Sequence, residues 1–374
     1  MSPSDPVALT RTLLQFDTVN PPGHERDCAH MAGELLRQSG FAVEFHEYEE
    51  RRTSVIARAG GSGAKPPLCL TGHLDVVPLG TRKWSKDPFS GETAGDKLYG
   101  RGTSDMKSGV AAIVLAAVSL SKHLKGTPGI VVVLTAAEEG GCLGSKHLAA
   151  LPGLMGKAGA IVVGEPTSNY PLVGHKGSIK FNASFKGVSA HGSMPQLGDN
   201  AIYKAARAVA KLEQFDFGSA SHPVMGEPTI NVGTFAGGSG VNLVPDFARV
   251  GVDIRTVPGV DHQVLIEKIK SILGEAELDI FSNLSPVWTA PEAEWVQRVF
   301  EICKPVLGEA PEARTAPYMT DAANLLKVYA GAPTVVLGPG EAAMAHQTDE
   351  YCSMERIRQS VAIYETIIKD WCRA

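Results

Sequence analysis

Five short segments of the sequence place acidic residues or histidines at the ends of runs that have the composition of buried β-strands. In open α/β sheets, binding sites form outside the carboxyl ends of the strands, so these side chains have a reason to converge. A mixed set of carboxylate oxygens and imidazole nitrogens fits zinc, with cobalt or manganese as substitutes. The sequence therefore predicts a metal centre, and its candidate ligands are His73, Asp105, Glu139, Glu165 and His346.

Each of these residues, taken alone, also has an ordinary structural interpretation. A single histidine at a strand end, such as His73, is more often structural than a ligand. Asp105 lies just before a predicted helix, where an isolated aspartate is more often an N-cap. Glu165 and His346 are unremarkable by themselves. The metal hypothesis depends on their recurrence at successive strand ends.

Two residues next to the candidate ligands suit supporting roles. Glu138 and Glu139 are adjacent and follow a fully apolar run, so their side chains point in different directions. One can bind metal while Glu138 remains free as a general base, which is what metal-assisted amide hydrolysis requires. Asp75 lies two residues after His73 and would face the same side of an extended chain. Its carboxylate is predicted to accept the second ring N–H of His73.

Other hydrolytic chemistries are less well supported. Ser104 and Lys107 match the SxxK pattern of serine acyl-enzymes, but the partner motifs of that class are missing from plausible positions. The sequence has no GxSxG elbow, no Walker A loop and no GxGxxG after a strand. A serine amidohydrolase using Ser104 and Lys107, and an inactive metal-binding scaffold, remain as alternatives.

The helices and strands that position these residues show two different sequence patterns. Buried apolar strands alternate with helices in the first and last parts of the chain, which predicts an α/β catalytic domain with a mostly parallel central sheet flanked by helices. Between them the strands are half-exposed and alternate, which predicts an inserted α+β domain with an antiparallel sheet. The predicted boundaries are 1–174 and 288–374 for the catalytic domain and 175–287 for the insertion.

Composition limits the class of protein. The 374 residues, 44% of them hydrophobic, suffice for two packed domains. With a net charge of −5 and no basic cluster, we expect no nucleic-acid partner and no membrane association. We expect no signal peptide and no apolar stretch long enough to span a bilayer. The 6 scattered cysteines form no CxxC pair, so we expect reduced thiols and a cytoplasmic location.

The chain contains, in this order, the segments GHLDVVP, LYGRGTSDMKSG, AAEEGG, VVGEPT, SAHGSMPQLGDNAI and GPGEAAMAHQTDEY. Together they resemble motifs of the M20 family of zinc aminoacylases and exopeptidases. The similarity runs from the first helix to the last and is strongest to acetylornithine deacetylases and succinyl-diaminopimelate desuccinylases. It implies a zinc-dependent hydrolase that removes an acetyl or succinyl group from an N-acyl amino acid.

One segment departs from this pattern. TAPYMTDAANL, at 315–325, is more similar to the glutamate carboxypeptidase and dipeptidase branches of the family. The alternative function is therefore a dipeptidase or glutamate carboxypeptidase-type exopeptidase with the same two-metal site. The mixture leaves the acyl group and the amino acid undetermined.

The resemblance implies two zinc ions per subunit, with cobalt or manganese as substitutes. His73, Asp105 and Glu165 would bind one ion. Asp105, Glu139 and His346 would bind the other, so that the Asp105 carboxylate bridges the pair. In this family the peptide bond after the bridging aspartate is often cis. Glu138 takes the general acid/base role and Asp75 supports the ligands.

The resemblance also assigns the inserted domain the role of a lid and dimerisation domain, and implies a homodimer. His191 matches a histidine that reaches the substrate carbonyl from the partner subunit and stabilises the oxyanion. Asn242 and Arg255 lie where the family binds the substrate carboxylate, a task that suits the planar fork of arginine. Arg255 could equally form a strand-surface ion pair. Lys176 is a further substrate-binding candidate.

Overall fold

The computed structural model describes residues 5–218 and 221–373. The chain divides into two compact units. The larger contains Met1–Gly174, Val287–Ala316 and Thr320–Ala374, and the smaller contains His175–Pro286 and Pro317–Met319.

Helices and strands are numbered along the chain. The α-helices are α1 (Pro6–Leu14), α2 (Arg26–Gln38), α3 (Ser108–Leu120), α4 (Leu143–Ala150), α5 (Ala201–Glu213), α6 (His262–Leu273), α7 (Glu294–Leu307), α8 (Ala322–Val328) and α9 (Met354–Cys372). The strands are β1 (Ala42–Glu49), β2 (Arg52–Ala59), β3 (Leu68–His73), β4 (Thr93–Ala94), β5 (Lys97–Tyr99), β6 (Ile130–Thr135), β7 (Ala160–Val163), β8 (Gly174–His175), β9 (Gly177–Lys186), β10 (Thr229–Gly237), β11 (Phe247–Thr256), β12 (Glu277–Leu284), β13 (Val287–Trp288), β14 (Thr334–Val336) and β15 (Tyr351–Ser353). Shorter helical turns cover Thr103–Lys107, Ser121–His123, Pro195–Leu197 and Ala342–Met344.

The larger unit is built on a six-stranded sheet in the order β1-β2-β6-β3-β7-β14. The neighbours β6, β3, β7 and β14 run parallel, and β1 and β2 form an antiparallel edge. Every residue of the four parallel strands is buried, as their unbroken apolar composition predicts for strands covered on both faces. The predicted mostly parallel α/β sheet is confirmed.

Helix α3 lies in the core of this unit. Eleven residues of its sequence SGVAAIVLAAVSL are buried, and the helix packs against α1 and α9. The segment Thr103–His123 has the length and composition of a membrane span, so the expectation that no apolar stretch is long enough was wrong. The most apolar stretch of this segment is 83% buried inside the fold. The buried core helix of a soluble protein can have the same length and composition as a membrane span.

The smaller unit has a four-stranded antiparallel sheet in the order β10-β11-β9-β12. Alternate residues of β9 and β11 are buried and form one core with the apolar faces of α5 and α6. Each helix begins with a side-chain cap, since Asn200 and Asp261 accept hydrogen bonds from the first turns. The predicted separate antiparallel α+β architecture is confirmed.

Candidate metal centre

Three parallel strands deliver acidic and imidazole side chains to one edge of the central sheet. His73 is the last residue of β3 and pairs with Thr135, the last residue of β6. Glu138 and Glu139 follow β6, and Glu165 follows β7 by two residues. His73, Glu138 and Glu165 are all buried. The register of adjacent parallel strands therefore brings these side chains together.

Asp105 lies between two histidines that are far apart in the sequence. Its Oδ1 is 3.0 Å from Nε2 of His73, and its Oδ2 is 3.4 Å from Nε2 of His346. The Nε2 atom of His346 also lies 3.2 Å from Oε2 of Glu139, and that of His73 lies 3.8 Å from Oε1 of Glu165. The five predicted ligands thus form one continuous cluster with the Asp105 carboxylate at its centre.

The N-cap interpretation of Asp105 does not agree with this geometry. Helix α3 begins at Ser108, and its N-cap position is Lys107. Asp105 belongs to the preceding turn, where its φ of −122° and ψ of 92° are not helical, and the Asp105–Met106 peptide bond is cis, as the resemblance implies. Its carboxylate faces the histidines instead of the helix.

The donor atoms fit a metal ion. One ligand atom from each of His73, Asp105 and Glu139 lies within 4.8 Å of the others, and the same holds for His73, Glu138 and Glu165. Within the described ranges, Oε1 of Glu139 is buried and has no hydrogen-bond partner. Buried carboxylate oxygens without donors are costly unless a cation satisfies them. Oxygen and imidazole donors at this spacing suit zinc-class ions.

Burial and mutual charge shift the titration of the cluster. Burial, reinforced by neighbouring carboxylates, raises the pKa of Glu138 and of Glu165 well above the ordinary value. Burial opposes the charged form of His73, but the charge of Glu165 and the hydrogen bond to Asp105 outweigh it and raise the His73 pKa. Hydrogen bonds to Asp105 and Glu139 raise the pKa of His346 to about 10. The carboxylates of the cluster are therefore costly to ionise together, and a bound cation would offset that cost.

Asp75 makes different contacts from those predicted. The Nδ1 atom of His73 lies 3.0 Å from the backbone carbonyl oxygen of Asp75 and 3.6 Å from its carboxylate, so the carbonyl is the nearer partner. The carboxylate instead accepts the backbone N–H groups of Glu138 (3.0 Å) and Glu139 (3.1 Å), and the side-chain amide of Asn20 (2.8 Å). Asp75 therefore positions both the β3 end and the β6 end.

Two neighbours of Glu138 were not identified from the sequence. The Sγ atom of Cys142 lies 3.2 Å from Oε1 of Glu138 and donates to it. Asp321, from the TDAA segment, accepts a hydrogen bond from Thr135, and its charge contributes to the raised pKa of Glu138. In the sequence, the TDAA motif indicated a branch of the family. No pattern of neighbouring residues predicted the contact of its Asp321 with Thr135 at the end of β6.

The serine alternative lacks its central contact. The Ser104 hydroxyl donates to the carbonyl of Tyr351 at 2.7 Å. The Lys107 ammonium is buried and donates to the carbonyl of Phe16 at 2.9 Å. Each side chain is thus directed to a backbone carbonyl, and Lys107 is not placed to activate Ser104.

The remaining candidates lie in the smaller unit. His191 is exposed, and its Nδ1 lies 2.8 Å from Oγ of Ser193 and accepts the Ser193 N–H at 3.2 Å. The carbonyl of Asn242 accepts the N–H of Gly192 at 2.7 Å, so Asn242 lies on the segment next to His191.

Arg255 and Lys176 have partners within the same unit. Arg255 contacts Asp253 at 2.9 Å, which is the strand-surface ion pair considered as its alternative role. Lys176 donates to the carbonyl of Glu227 at 2.5 Å.

Comparison with known proteins finds relatives over almost the whole chain. The chain is 30% identical to a probable succinyl-diaminopimelate desuccinylase from Staphylococcus epidermidis, over 99% of this chain and 98% of that protein. It is also 30% identical to an acetylornithine deacetylase from Vibrio cholerae, over 97% and 96% of the two chains. The crystal structure of an M20 family metallo-carboxypeptidase from Sulfolobus solfataricus shares the fold, with a TM-score of 0.81, 18% identity and coverage of 98% of this chain and 99% of that one.

The family assignment rests on a match to most of the sequence. Residues 69–370 match Peptidase family M20/M25/M40, and the matched range includes the whole cluster around Asp105. Members of this family are hydrolases of amide bonds. With its fold, its cluster and this match, the chain belongs to peptidase family M20/M25/M40.

Proposed function

We propose that this hydrolase removes an acetyl or succinyl group from an N-acyl amino acid, in the manner of an acetylornithine deacetylase, with two metal ions. The observation that carries the two-metal proposal is the Asp105 carboxylate, whose two oxygens face Nε2 of His73 and Nε2 of His346. The substrate class is supported by the desuccinylase and deacetylase relatives, which match almost the full chain.

The ions would be bound by residues of one sheet edge. His73, Asp105 and Glu165 would hold the first, and Asp105, Glu139 and His346 the second. Zinc suits this donor set, and cobalt or manganese are substitutes. When bound, the ions would lower the pKa of a water molecule and polarise the amide carbonyl.

Glu138 is the proposed general acid/base. It accepts a proton from the attacking water and returns it to the nitrogen of the leaving amine. Burial raises the Glu138 pKa, which makes its carboxylate a stronger base than that of an exposed glutamate. Asp75 positions the Glu138 and Glu139 backbone, and the Cys142 thiol contacts the Glu138 carboxylate.

His191 is proposed to stabilise the oxyanion. Because its Nδ1 accepts the N–H of Ser193, a ring proton lies on Nε2, and this N–H can donate to an oxyanion. The smaller unit, at 175–287, is proposed as an inserted lid and dimerisation domain between catalytic segments 1–174 and 288–374. His191 would then act from the partner subunit of a homodimer, while Arg255, Asn242 and Lys176 bind the substrate carboxylate.

A second candidate is a dipeptidase or glutamate carboxypeptidase-type exopeptidase with the same site. The TDAA segment supports it, because Asp321 of that segment contacts the end of β6 beside Glu138. For either function we propose a cytoplasmic location, since all 6 cysteines are free thiols, as in a reducing compartment.

A substrate panel tests the proposal. N-acetyl-ornithine, N-succinyl-diaminopimelate, other N-acetyl amino acids and dipeptides are assayed for amine release after chelation and after addition of zinc or cobalt. We expect turnover of an N-acyl amino acid that is lost on chelation and restored by metal. Preferential turnover of dipeptides would favour the second candidate, and activity that survives chelation would refute both.

Glu138→Gln tests the acid/base assignment. Metal content should stay at the wild-type level while kcat falls by about 10²- to 10⁴-fold, the usual contribution of general acid–base catalysis. Glu301→Gln, at an exposed position of α7, is the matched control and should keep full activity. Near-normal turnover by Glu138→Gln would remove Glu138 from the mechanism.

A further inference from the structure

A carboxylate with no role in the proposed reaction lies directly under the Asp105 turn. Glu350 is 0% exposed. Its Oε1 accepts the backbone N–H groups of Ser104 at 2.7 Å and Asp105 at 3.0 Å, and its Oε2 accepts that of Gly102 at 3.1 Å. One side chain thus binds three N–H groups of the turn that carries the central carboxylate of the cluster.

The turn needs such a partner because it is not regular. Asp105 and Met106 have non-helical dihedral angles, so the N–H groups before α3 lack the ladder of a normal helix. Buried N–H groups without acceptors are costly, and a charged acceptor forms the stronger hydrogen bonds. The position of the Asp105 backbone therefore depends on a residue 245 positions away in the sequence.

The same carboxylate is paired with a buried arginine that contacts the segment of a second candidate ligand. Nη1 of Arg101 lies 2.5 Å from Oε2 of Glu350 and donates to the carbonyl of Gln347 at 3.2 Å. Nη2 donates to the carbonyls of His346 at 3.4 Å and Pro78 at 3.2 Å. Since the His346 side chain is 53% exposed, packing alone does little to hold it, and the contact with Arg101 anchors its backbone.

We propose that the Arg101–Glu350 pair is a positioning device that sets the spacing of Asp105 and His346 for the metal ion they would share. The inference rests on the proposed function, which makes both residues ligands. A buried ion pair is often no more stabilising than apolar side chains of the same size. This pair, however, directs its hydrogen bonds to the backbone of two candidate ligands, so its loss should weaken metal binding in addition to destabilising the fold.

Glu350→Gln tests the inference. The amide keeps the size of the side chain, but its NH₂ group must face at least one N–H donor of the turn or of Arg101. We expect the metal-free variant to unfold cooperatively and its zinc affinity to fall about 10- to 100-fold, as for other residues that orient metal ligands. Zinc affinity is measured by competition with a chromophoric chelator. The variant should lose more affinity for the more weakly bound of the two zinc ions than for the other.

Three further measurements separate positioning from a purely structural role. The cobalt-substituted variant should show an altered visible absorption spectrum, and excess zinc should restore part of the lost turnover. Glu350→Asp, which keeps the charge, should recover part of the zinc affinity. Asp370→Asn, which breaks the exposed Arg298–Asp370 pair, is the control and should match the wild type.

Arg101→Lys provides an independent variant if Glu350→Gln does not fold. Lysine keeps the charge but cannot contact Glu350 and the His346 carbonyl together, so zinc affinity should again fall. Wild-type zinc affinity in either folded variant would overturn the inference. A wild-type protein that binds no zinc and cleaves no member of the substrate panel would instead overturn the proposed function.

Discussion

Asp75 allows a quantitative test of how the Glu138–Glu139 segment is held. Its carboxylate is 0% exposed and accepts three hydrogen bonds, at 3.0 Å from the N–H of Glu138, 3.1 Å from that of Glu139 and 2.8 Å from the Asn20 amide. Asp75→Asn preserves the shape of the side chain. It replaces one acceptor oxygen with a donor and removes the charge, without creating a cavity.

The magnitude follows from the two possible orientations of the new amide. With its oxygen at the Oδ2 position, the bonds from Glu139 and Asn20 survive and the Glu138 N–H faces an NH₂ group. The opposite orientation loses two bonds. A hydrogen bond to a charged group contributes about 1.5–3 kcal/mol, so the better orientation costs at least that and weakens the bonds that remain. We expect a loss of about 3 kcal/mol in the free energy of unfolding.

Thermal unfolding of the metal-free protein measures this loss. For a large domain, about 1 kcal/mol corresponds to roughly 2–4 °C, so Tm should fall by roughly 6–12 °C. Asp370→Asn makes the same chemical change at an exposed ion pair, which contributes at most about 1 kcal/mol, and should shift Tm by no more than about 4 °C. An Asp75→Asn protein that melts with the wild type would refute the claim that this carboxylate holds the segment.

Three other substitutions test separate features. Ser104→Ala should keep more than about 1% of wild-type turnover, whereas loss of a serine nucleophile costs about six decades in kcat. Burial lowers the pKa of His175 to about 4 from an ordinary 6.5. Between these two pH values His175 binds a proton in the unfolded chain but not in the folded chain, so a falling pH favours unfolding. Stability should therefore drop by up to about 3 kcal/mol between pH 6.5 and 4 in denaturant titrations, and His175→Asn should flatten that slope. Gly109→Ala would place a Cβ 2.0 Å from the carbonyl oxygen of Gly164, and we expect a loss of at least about 1–3 kcal/mol in the same assay.

The elements of the larger unit could be predicted because their signals are local. The continuous apolar runs at 129–134 and 160–163 predict buried strands, and they form β6 (Ile130–Thr135) and β7 (Ala160–Val163). The alanine-rich apolar pattern at 107–124 predicts a buried helix, and the structure agrees, since α3 covers Ser108–Leu120 and a short helical turn continues it to His123. The irregular Thr103–Lys107 turn before α3 was not predicted, because the N–H groups of Ser104 and Asp105 in it bond to the distant Glu350 and not to a helical ladder.

The residues of the candidate site could also be identified from the sequence, because acids and histidines seldom follow directly after apolar strands. Their roles could not all be derived this way. The predicted carboxylate partner of His73 proved to be the nearer backbone carbonyl of Asp75, since the carboxylate is occupied by the N–H groups of Glu138 and Glu139.

The sequence by itself thus determined which strands are buried and which side chains follow them, because hydrophobic periodicity acts over a few residues. Only the tertiary structure places Asp105 between His73 and His346. It alone also brings the Glu350 carboxylate to the backbone N–H of Asp105 and pairs Glu350 with Arg101. Those contacts join segments far apart in the chain. They depend on the order of strands in the sheet and on where buried N–H groups find acceptors, and no local pattern encodes either.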